Sequence, residues 1–328
     1  MTCLRKTRRE LLKSAAAMSA AVSFAKYGIT PSWSAAGAKK DTFNVVDEVL
    51  RQAADTKEVP GVVAVAANSD GVIYEGAFGK RDLAKGTDMT TDSVFWIASM
   101  TKALTATAAM QLVEQGKLQL DEPISKVLPE LAAPQVLEGF DDKGQPKLRP
   151  AKRPITLRQL LTHTAGFTYD LWDADTAQFV KFADLPGIIS CKNAALKTPL
   201  AFDPGDRWLY GINIDYVGKA VEAVSGRRLN VYLRENIFKP LGMKDTDFVI
   251  GPDQKTRLVT VHARKEDGAL DPIEFGIPQE PDGSVNVELA GLVLNDTSVA
   301  KFNGTPDGVD ATAIARVCDG RVAVQTTP

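Results

Sequence analysis

A serine followed three residues later by a lysine sets a hydroxyl and an amine one helical turn apart, on one face. Ser99-Met100-Thr101-Lys102 makes that pairing at the head of a run, residues 103–115, rich in Ala, Leu, Met and Gln that favour helix. Where burial disfavours the charged lysine, the amine is able to take the serine's proton, which is the chemistry of a nucleophile beside its base. The spacing alone is not selective, because Ser23 with Lys26 and Ser298 with Lys301 repeat it. Only Ser99 follows a compact apolar run, Val94-Phe95-Trp96-Ile97-Ala98, and opens a long helix. A helix cap at Ser99, with Lys102 on a solvated face, is the structural alternative that spacing leaves open.

Two further segments carry groups able to join such chemistry. Residues 202–210 turn at Pro204-Gly205 and then set Trp208 and Tyr210 two apart, on one side of an extended stretch. Tyr210 stands where the turn passes into a helix predicted from residue 212 to Gly226, either packing there or facing a cleft. His163, one of two histidines, follows a short helix over residues 155–161 that begins with a capping threonine and shows a leucine face. A histidine bonded to backbone at a helix end and a catalytic histidine are both open readings of it.

The elements that must position these groups follow from the same text. Residues 42–56 have helical apolar spacing and end at Pro60-Gly61. Two β-type runs, 62–67 and 72–78, flank Asn68-Ser69-Asp70-Gly71 and predict a hairpin. A turn at 116–123, a short helix toward Leu131, a polar surface loop over 139–154 and a helix over 230–238 follow. Residues 256–263 and 270–275 read as a second hairpin across Asp267-Gly268. A helix, paired strands and a strand-poor helical middle predict an α/β (α+β) fold, a sheet flanked by helices with a helical region attached.

Ser99-Met100-Thr101-Lys102, then Leu160-Leu161-Thr162-His163-Thr164-Ala165-Gly166, then Trp208-Leu209-Tyr210-Gly211 resemble, in order and separation, the motifs of the serine β-lactamase and penicillin-binding-protein superfamily, nearest its class C-like esterases. The resemblance spans residues 41–249 and implies a β-lactamase/transpeptidase-like fold with an antiparallel sheet. It implies Ser99 as the acylated nucleophile, Lys102 as the group that lowers the cost of deprotonating it, and Tyr210 as a proton relay. Acyl transfer to water through an acyl-enzyme follows, on a small-molecule ester or β-lactam-like substrate, with weak β-lactamase activity beside the esterase one. The alternative is a catalytically silent relative that binds a ligand or partner.

The chain departs from that pattern twice. The family's Tyr-x-Asn reads Tyr210-Gly211-Ile212 here, with Asn213 one place late, so the amide that would hold a β-lactam side chain is displaced and esters are favoured. No Lys-Thr-Gly, His-x-Gly or Trp-Gly-Gly triplet follows Tyr210, although in the family a late strand bearing it supplies one oxyanion donor. Losing such a donor typically costs about 10²–10³-fold in rate. From about Leu292 the text changes character, which predicts a truncated domain over residues 39–291, a foreign tail over 292–328 and a sheet left incomplete at an unpaired edge.

Composition excludes other classes. With 44% hydrophobic residues among 328, the chain can bury a sizeable core, and 39 basic against 41 acidic side chains do not favour nucleic acid as a partner. No G-x-S-x-G elbow occurs, and neither H-E-x-x-H nor a tight His/Cys/Asp cluster, so no Ser-His-Asp triad, metal or cofactor is expected. Residues 1–38 read as an export signal: a basic start, an Ala-rich stretch and Ala36-Gly37-Ala38 as cleavage site. Thr7-Arg8-Arg9-Glu10-Leu11-Leu12 resembles a twin-arginine signal, implying the twin-arginine translocation machinery as partner and a periplasmic or secreted product. Lys26 interrupts the apolar stretch short of the ~20 residues a membrane span needs, so no lasting insertion is expected after cleavage. Removing six basic residues and one acid from a chain of formal charge −2 leaves −7. Cys191 and Cys318 read as unpaired.

Overall fold

A computed structural model describes residues 40–249 and 251–273, together with three strands further on. The chain divides into two compact units, residues 1–49 and 50–328. Of the first, the described part is the opening of helix α1 (Lys40–Asp55), at the predicted place.

The second unit begins with the predicted hairpin. Strands β1 (Gly61–Asn68) and β2 (Gly71–Asp82) pair antiparallel, with Gly61 opposite Gly79 and Asn68 opposite Gly71. Asn68 closes the turn, its Oδ1 accepting from the backbone N–H of Asp70 (2.9 Å) and Gly71 (3.2 Å). Strand β3 (Thr87–Asp88) adds to β2, giving a three-stranded antiparallel sheet of order β1-β2-β3, with Val62, Val63 and Val65 buried. Strand β4 (Val94–Trp96) leads through a 3₁₀ turn, Ala98–Met100, into helix α2 (Thr101–Glu114). The helix predicted toward Leu131 consists of two 3₁₀ turns, Ile124–Lys126 and Pro129–Leu131.

The surface loop expected over residues 139–154 is instead part of a β-ribbon, β5 (Gln135–Phe140) and β6 (Pro146–Pro150), paired antiparallel. Prolines and charges suggested a loop, yet a two-stranded ribbon has two free edges and tolerates proline at strand ends. Asp141 Oδ1 closes the turn by accepting from the N–H groups of Lys143 (2.9 Å) and Gln145 (2.8 Å).

Helix α3 (Leu157–Leu161) starts on the predicted cap: Thr156 Oγ1 accepts from Gln159 N (3.2 Å) while Gln159 Oε1 accepts from Thr156 N (2.9 Å), a capping box. Helix α4 (Ala174–Phe182) is followed by α5 (Asn213–Ser225) and α6 (Leu229–Leu233), which runs into a π turn, Arg234–Phe238, where one helix was expected. Helix α7 (Pro252–Arg257) occupies the start of the second expected hairpin, which shrinks to β7 (His262–Arg264) and β8 (Leu270–Pro272). Strand β9 (Leu294–Asp296) pairs with β4, and β10 (Ala313–Cys318) with β11 (Arg321–Thr326). Otherwise the expected tail and late oxyanion strand lie outside the described residues. Cys191 is buried and free.

The core forms where α2 meets α5. Thr101, Thr105, Ala108, Ala109 and Leu112 are buried along α2, and Ile214, Val217, Ala220 and Val221 along α5. Small residues on α2 let a second helix approach closely, and Leu157, Leu160, Leu200 and Phe238 complete the packing.

A partly buried ion pair, with its carboxylate buried, ties the ribbon to the segment that carries Tyr210. Arg149 donates to both carboxylate oxygens of Asp203 at 2.9 Å, and Lys152 N–H adds a third bond at 2.8 Å. Those donors, Arg149 foremost, hold the Asp203 carboxyl well below the usual range. Backbone bonds from Leu137 N to Leu200 O and from Leu200 N to Gln135 O, both 2.8 Å, fix the same join. Replacing Asp203 by Asn removes the buried counter-charge and leaves Arg149 paired with Glu138, and a thermal melt followed by circular dichroism should show a midpoint lower by several degrees with helix content retained.

Candidate active site

The residues singled out for chemistry converge. Lys102 Nζ donates to Ser99 Oγ at 3.3 Å and lies 4.9 Å from the centroid of the Tyr210 ring, with the Tyr169 ring at 5.8 Å. Ser99 is exposed, Lys102 and Tyr210 half-buried. The helix-cap alternative gives Lys102 a solvated face; the structure instead sets its ammonium against two aromatic rings, an attractive cation–π arrangement.

Local backbone explains why Ser99 projects. It sits in the 3₁₀ turn ahead of α2, not within the helix itself, and Ala98 before it has φ 39°, a left-handed value unfavourable for a residue with a Cβ. The strain turns the apolar strand β4 sharply into the helix and leaves the hydroxyl at the helix N-terminus, where the dipole favours developing negative charge.

Tyr210 is delivered by two chain segments clasped together. Gly205 N donates to Thr164 O (2.7 Å), Ala201 N to Gly166 O (2.8 Å) and Leu209 N to His163 O (2.9 Å), so residues 163–166 pair with 201–209. Two glycines permit the approach. A Cβ on Gly166, whose φ is 104°, would stand 2.4 Å from Phe202 O, and one on Gly211 would stand 2.3 Å from Thr168 Cα. Thr168 Oγ1 donates to Tyr210 O at 3.4 Å.

Asn213, one place beyond the expected amide position, is wholly buried at the start of α5. Its Nδ2 reaches Phe167 O (3.2 Å), Leu209 O (3.4 Å) and His163 Nδ1 (3.1 Å), so it holds the fold beneath Tyr210 and offers nothing to a substrate. His163 does lie at a helix end, but its ring bonds this side chain instead of backbone and packs 4.6 Å from the Tyr210 ring. Burial first, and the charge of Lys102 second, push its pKa down to about 4.

Tyr169, Trp172 and Asp215 were not singled out from sequence. Tyr169 packs edge-on to Tyr210 (5.7 Å), and Trp172 lies 5.5 Å from it. Trp208 is 64% exposed with its ring 6.4 Å from Tyr210, so the truncation Trp208→Ala, which the sequence alone would predict to destabilise, removes little packing. Asp215 is buried in the first turn of α5, where an acid ordinarily reads as a favourable dipole partner and nothing in the spacing reveals burial. Burial raises its carboxyl to about 7, against the opposing pull of Lys102 and of its own backbone N–H.

That elevation has a defined sign. Between the ordinary carboxyl value of 3.8 and about 7 the folded protein holds a proton that the unfolded chain releases, so stability is lost as pH rises through this window. Thermal melts at pH 5 and pH 8 should therefore show the wild type losing roughly 2–3 kcal/mol that Asp215→Asn does not lose.

Comparison with known proteins agrees with this geometry. A family model described as Beta-lactamase matches residues 46–298. Acyltransferase mokF of Monascus pilosus is 38% identical over 239 residues, 69% of this chain and 57% of that one. Lovastatin esterase of Penicillium rubens is 37% identical over 235 residues, 69% of this chain and 58% of that one. Among solved structures, a mutant of simvastatin synthase (LovD) from Aspergillus terreus superposes with a TM-score of 0.69 at 33% identity, covering 80% of this chain and 66% of that one. The chain thus spans under three fifths of the length of the two curated relatives. With the serine, lysine and tyrosine brought together on a fold shared with these proteins, the chain belongs to the Beta-lactamase family.

Proposed function

We propose that this protein is a serine hydrolase that acts on carboxylic esters through an acyl-enzyme at Ser99. The observation that carries the reading is the 3.3 Å contact from Lys102 Nζ to an exposed Ser99 Oγ, with the Tyr210 ring against the same ammonium. The similarity to an esterase and an acyltransferase supports the reaction class, and the inward-facing Asn213 supports esters over β-lactams, since the amide that would clamp a lactam side chain is occupied.

In this mechanism the Lys102 and Tyr210 pair works one proton short of ammonium plus phenol, so that Ser99 Oγ attacks the ester carbonyl carbon as its proton passes to the basic member of the pair. Collapse of the tetrahedral adduct breaks the bond to the alcohol oxygen, which leaves with that proton and leaves the acyl group on Ser99. Water then attacks the acyl carbon, giving its proton to the same pair; the bond to Ser99 Oγ breaks, Oγ takes that proton back and the acid leaves, and an alcohol in place of water completes an acyl transfer. The N-terminus of α2 stabilises negative charge as it develops.

Intact mass after incubation with a fluorophosphonate should show one adduct, mapped to the peptide holding Ser99. With a chromogenic short-chain ester, Ser99→Ala should fall to background and Lys102→Ala to within about tenfold of it, because the two act as a unit. Tyr210→Phe should lose about 10²-fold in kcat with the fold intact. A protein that neither labels nor turns over ester would be the silent, ligand-binding relative.

We also propose that the protein is exported by the twin-arginine route, a reading supported by Arg8-Arg9 ahead of the Ala-rich stretch. Fusion of residues 1–38 to a reporter should reach the periplasm, and the Arg8→Lys, Arg9→Lys double variant should hold it in the cytoplasm.

A further inference from the structure

Helix α3 ends in a closure that ordinarily calls for glycine. His163 N donates to Leu160 O (3.3 Å) and Thr164 N to Gln159 O (2.8 Å), the two bonds of a Schellman motif, with His163 at the left-handed position, φ 56°. A residue with a side chain is unfavourable there, so the imidazole must return something the backbone does not.

What it returns is visible on both sides of the ring. Asn213 Nδ2 faces two backbone carbonyls, Phe167 O and Leu209 O, which only accept; the amide must therefore present its NH₂ group to all its neighbours. An NH₂ group only donates, and its two hydrogens serve the two shorter contacts, His163 Nδ1 (3.1 Å) and Phe167 O (3.2 Å), with Leu209 O (3.4 Å) at most sharing one; Nδ1 therefore accepts, and the ring proton sits on Nε2. The orientation leaves the buried Asn213 Oδ1 without a partner among the described residues, a cost borne to keep the donors pointed this way. On its other side the ring lies 4.6 Å from Tyr210, tilted 32°, and the carbonyl of His163 accepts from Leu209, the residue before Tyr210.

We propose that His163 is a positioning residue: Asn213 holds its imidazole as the neutral Nε2–H tautomer, and the ring in turn holds the Tyr210 ring against Lys102. The importance of Tyr210 rests on the acyl-enzyme reading above. The groups around the ring are Lys102 from α2, Asn213 from α5, and Tyr210 and Trp208 from the segment between. Protonation would set an N–H against the Asn213 NH₂ and add a second cation beside Lys102, which agrees with the depressed pKa.

The sequence holds only two histidines, and His262 Nδ1 bonds the carbonyl of Thr260, which requires the opposite tautomer. Long-range ¹H–¹⁵N spectra of the full chain should therefore show one Nδ1–H and one Nε2–H ring. The second should be absent in His163→Asn and remain neutral from pH 8 to about 5.5. An Nδ1–H form of His163, or titration near its ordinary value of about 6.5, overturns the proposal.

Kinetics test the second half with two variants that suit the left-handed backbone. His163→Asn keeps an acceptor near Nδ1 without the ring, and His163→Gly relieves the backbone altogether. Both should melt no lower than about the wild-type temperature, yet lose at least about tenfold in kcat with KM within about twofold. Retained kcat in either variant overturns the proposal, because a purely structural histidine predicts that result for the glycine variant.

If the wild type fails to label at Ser99 or turn over ester, the acyl-enzyme reading fails by itself. Carbon-13 relaxation of labelled tyrosines, with Tyr210 assigned by Tyr210→Phe, then decides the matter: a ring ordered in the wild type and mobile in His163→Gly supports the proposal, and an unchanged ring overturns it.

Discussion

An ammonium group held between a hydroxyl and an aromatic face is the contact on which the site depends. Lys102 reaches Ser99 because the 3₁₀ turn that holds Ser99 runs directly into the first turn of α2, and it reaches Tyr210 because a distant segment is brought across that helix. The two halves have different physical origins. The first is helix periodicity; the second requires that residues 163–168 and 201–211 clasp each other so closely that glycine is needed at 166 and 211. The Arg149–Asp203 ion pair and the β5–β6 ribbon secure that clasp from behind.

The electrostatics beneath the site follow from burial. Asp215 and His163 both lie close enough to Lys102 to feel its charge, and in each case desolvation is the larger influence. For both, burial favours the neutral form: His163, at about 4, is uncharged at neutral pH, while Asp215, at about 7, is about half ionised there and compensates Lys102 only in part. An ammonium in that setting relies on the π faces of Tyr210 and Tyr169. The arrangement also accounts for the place of Asn213. One residue late for a substrate clamp, it is in register to bond inward, and its side chain supports the aromatic layer from below.

Elements with strong local signals were legible from the text. The hairpin at Asn68-Ser69-Asp70-Gly71, the capping threonine at Thr156, and the helices after Ser99 and Ile212 stand where turn chemistry and periodicity put them. Errors arose where tertiary context overrides local preference. Proline and charge made β5–β6 look like a loop, although its strands are steadied by pairing and by the Leu137–Leu200 backbone bond. The size of the Trp208 indole predicts destabilisation on truncation, yet the residue lies exposed beside Tyr210. The helix predicted over 230–238 changes to π geometry at Arg234, which no composition rule anticipates.

By itself the sequence determined the hydroxyl and the amine one turn apart and the tyrosine at a turn-to-helix junction, because these follow from residue type and short-range geometry; the reaction class came from the family resemblance those motifs carry. Only the tertiary structure decided that Tyr210 faces Lys102, that Asn213 turns inward to a histidine 50 residues away, and that Asp215 is buried. Each of those facts depends on contacts between segments remote in the chain and on the exclusion of water from between them, and neither is written in local spacing.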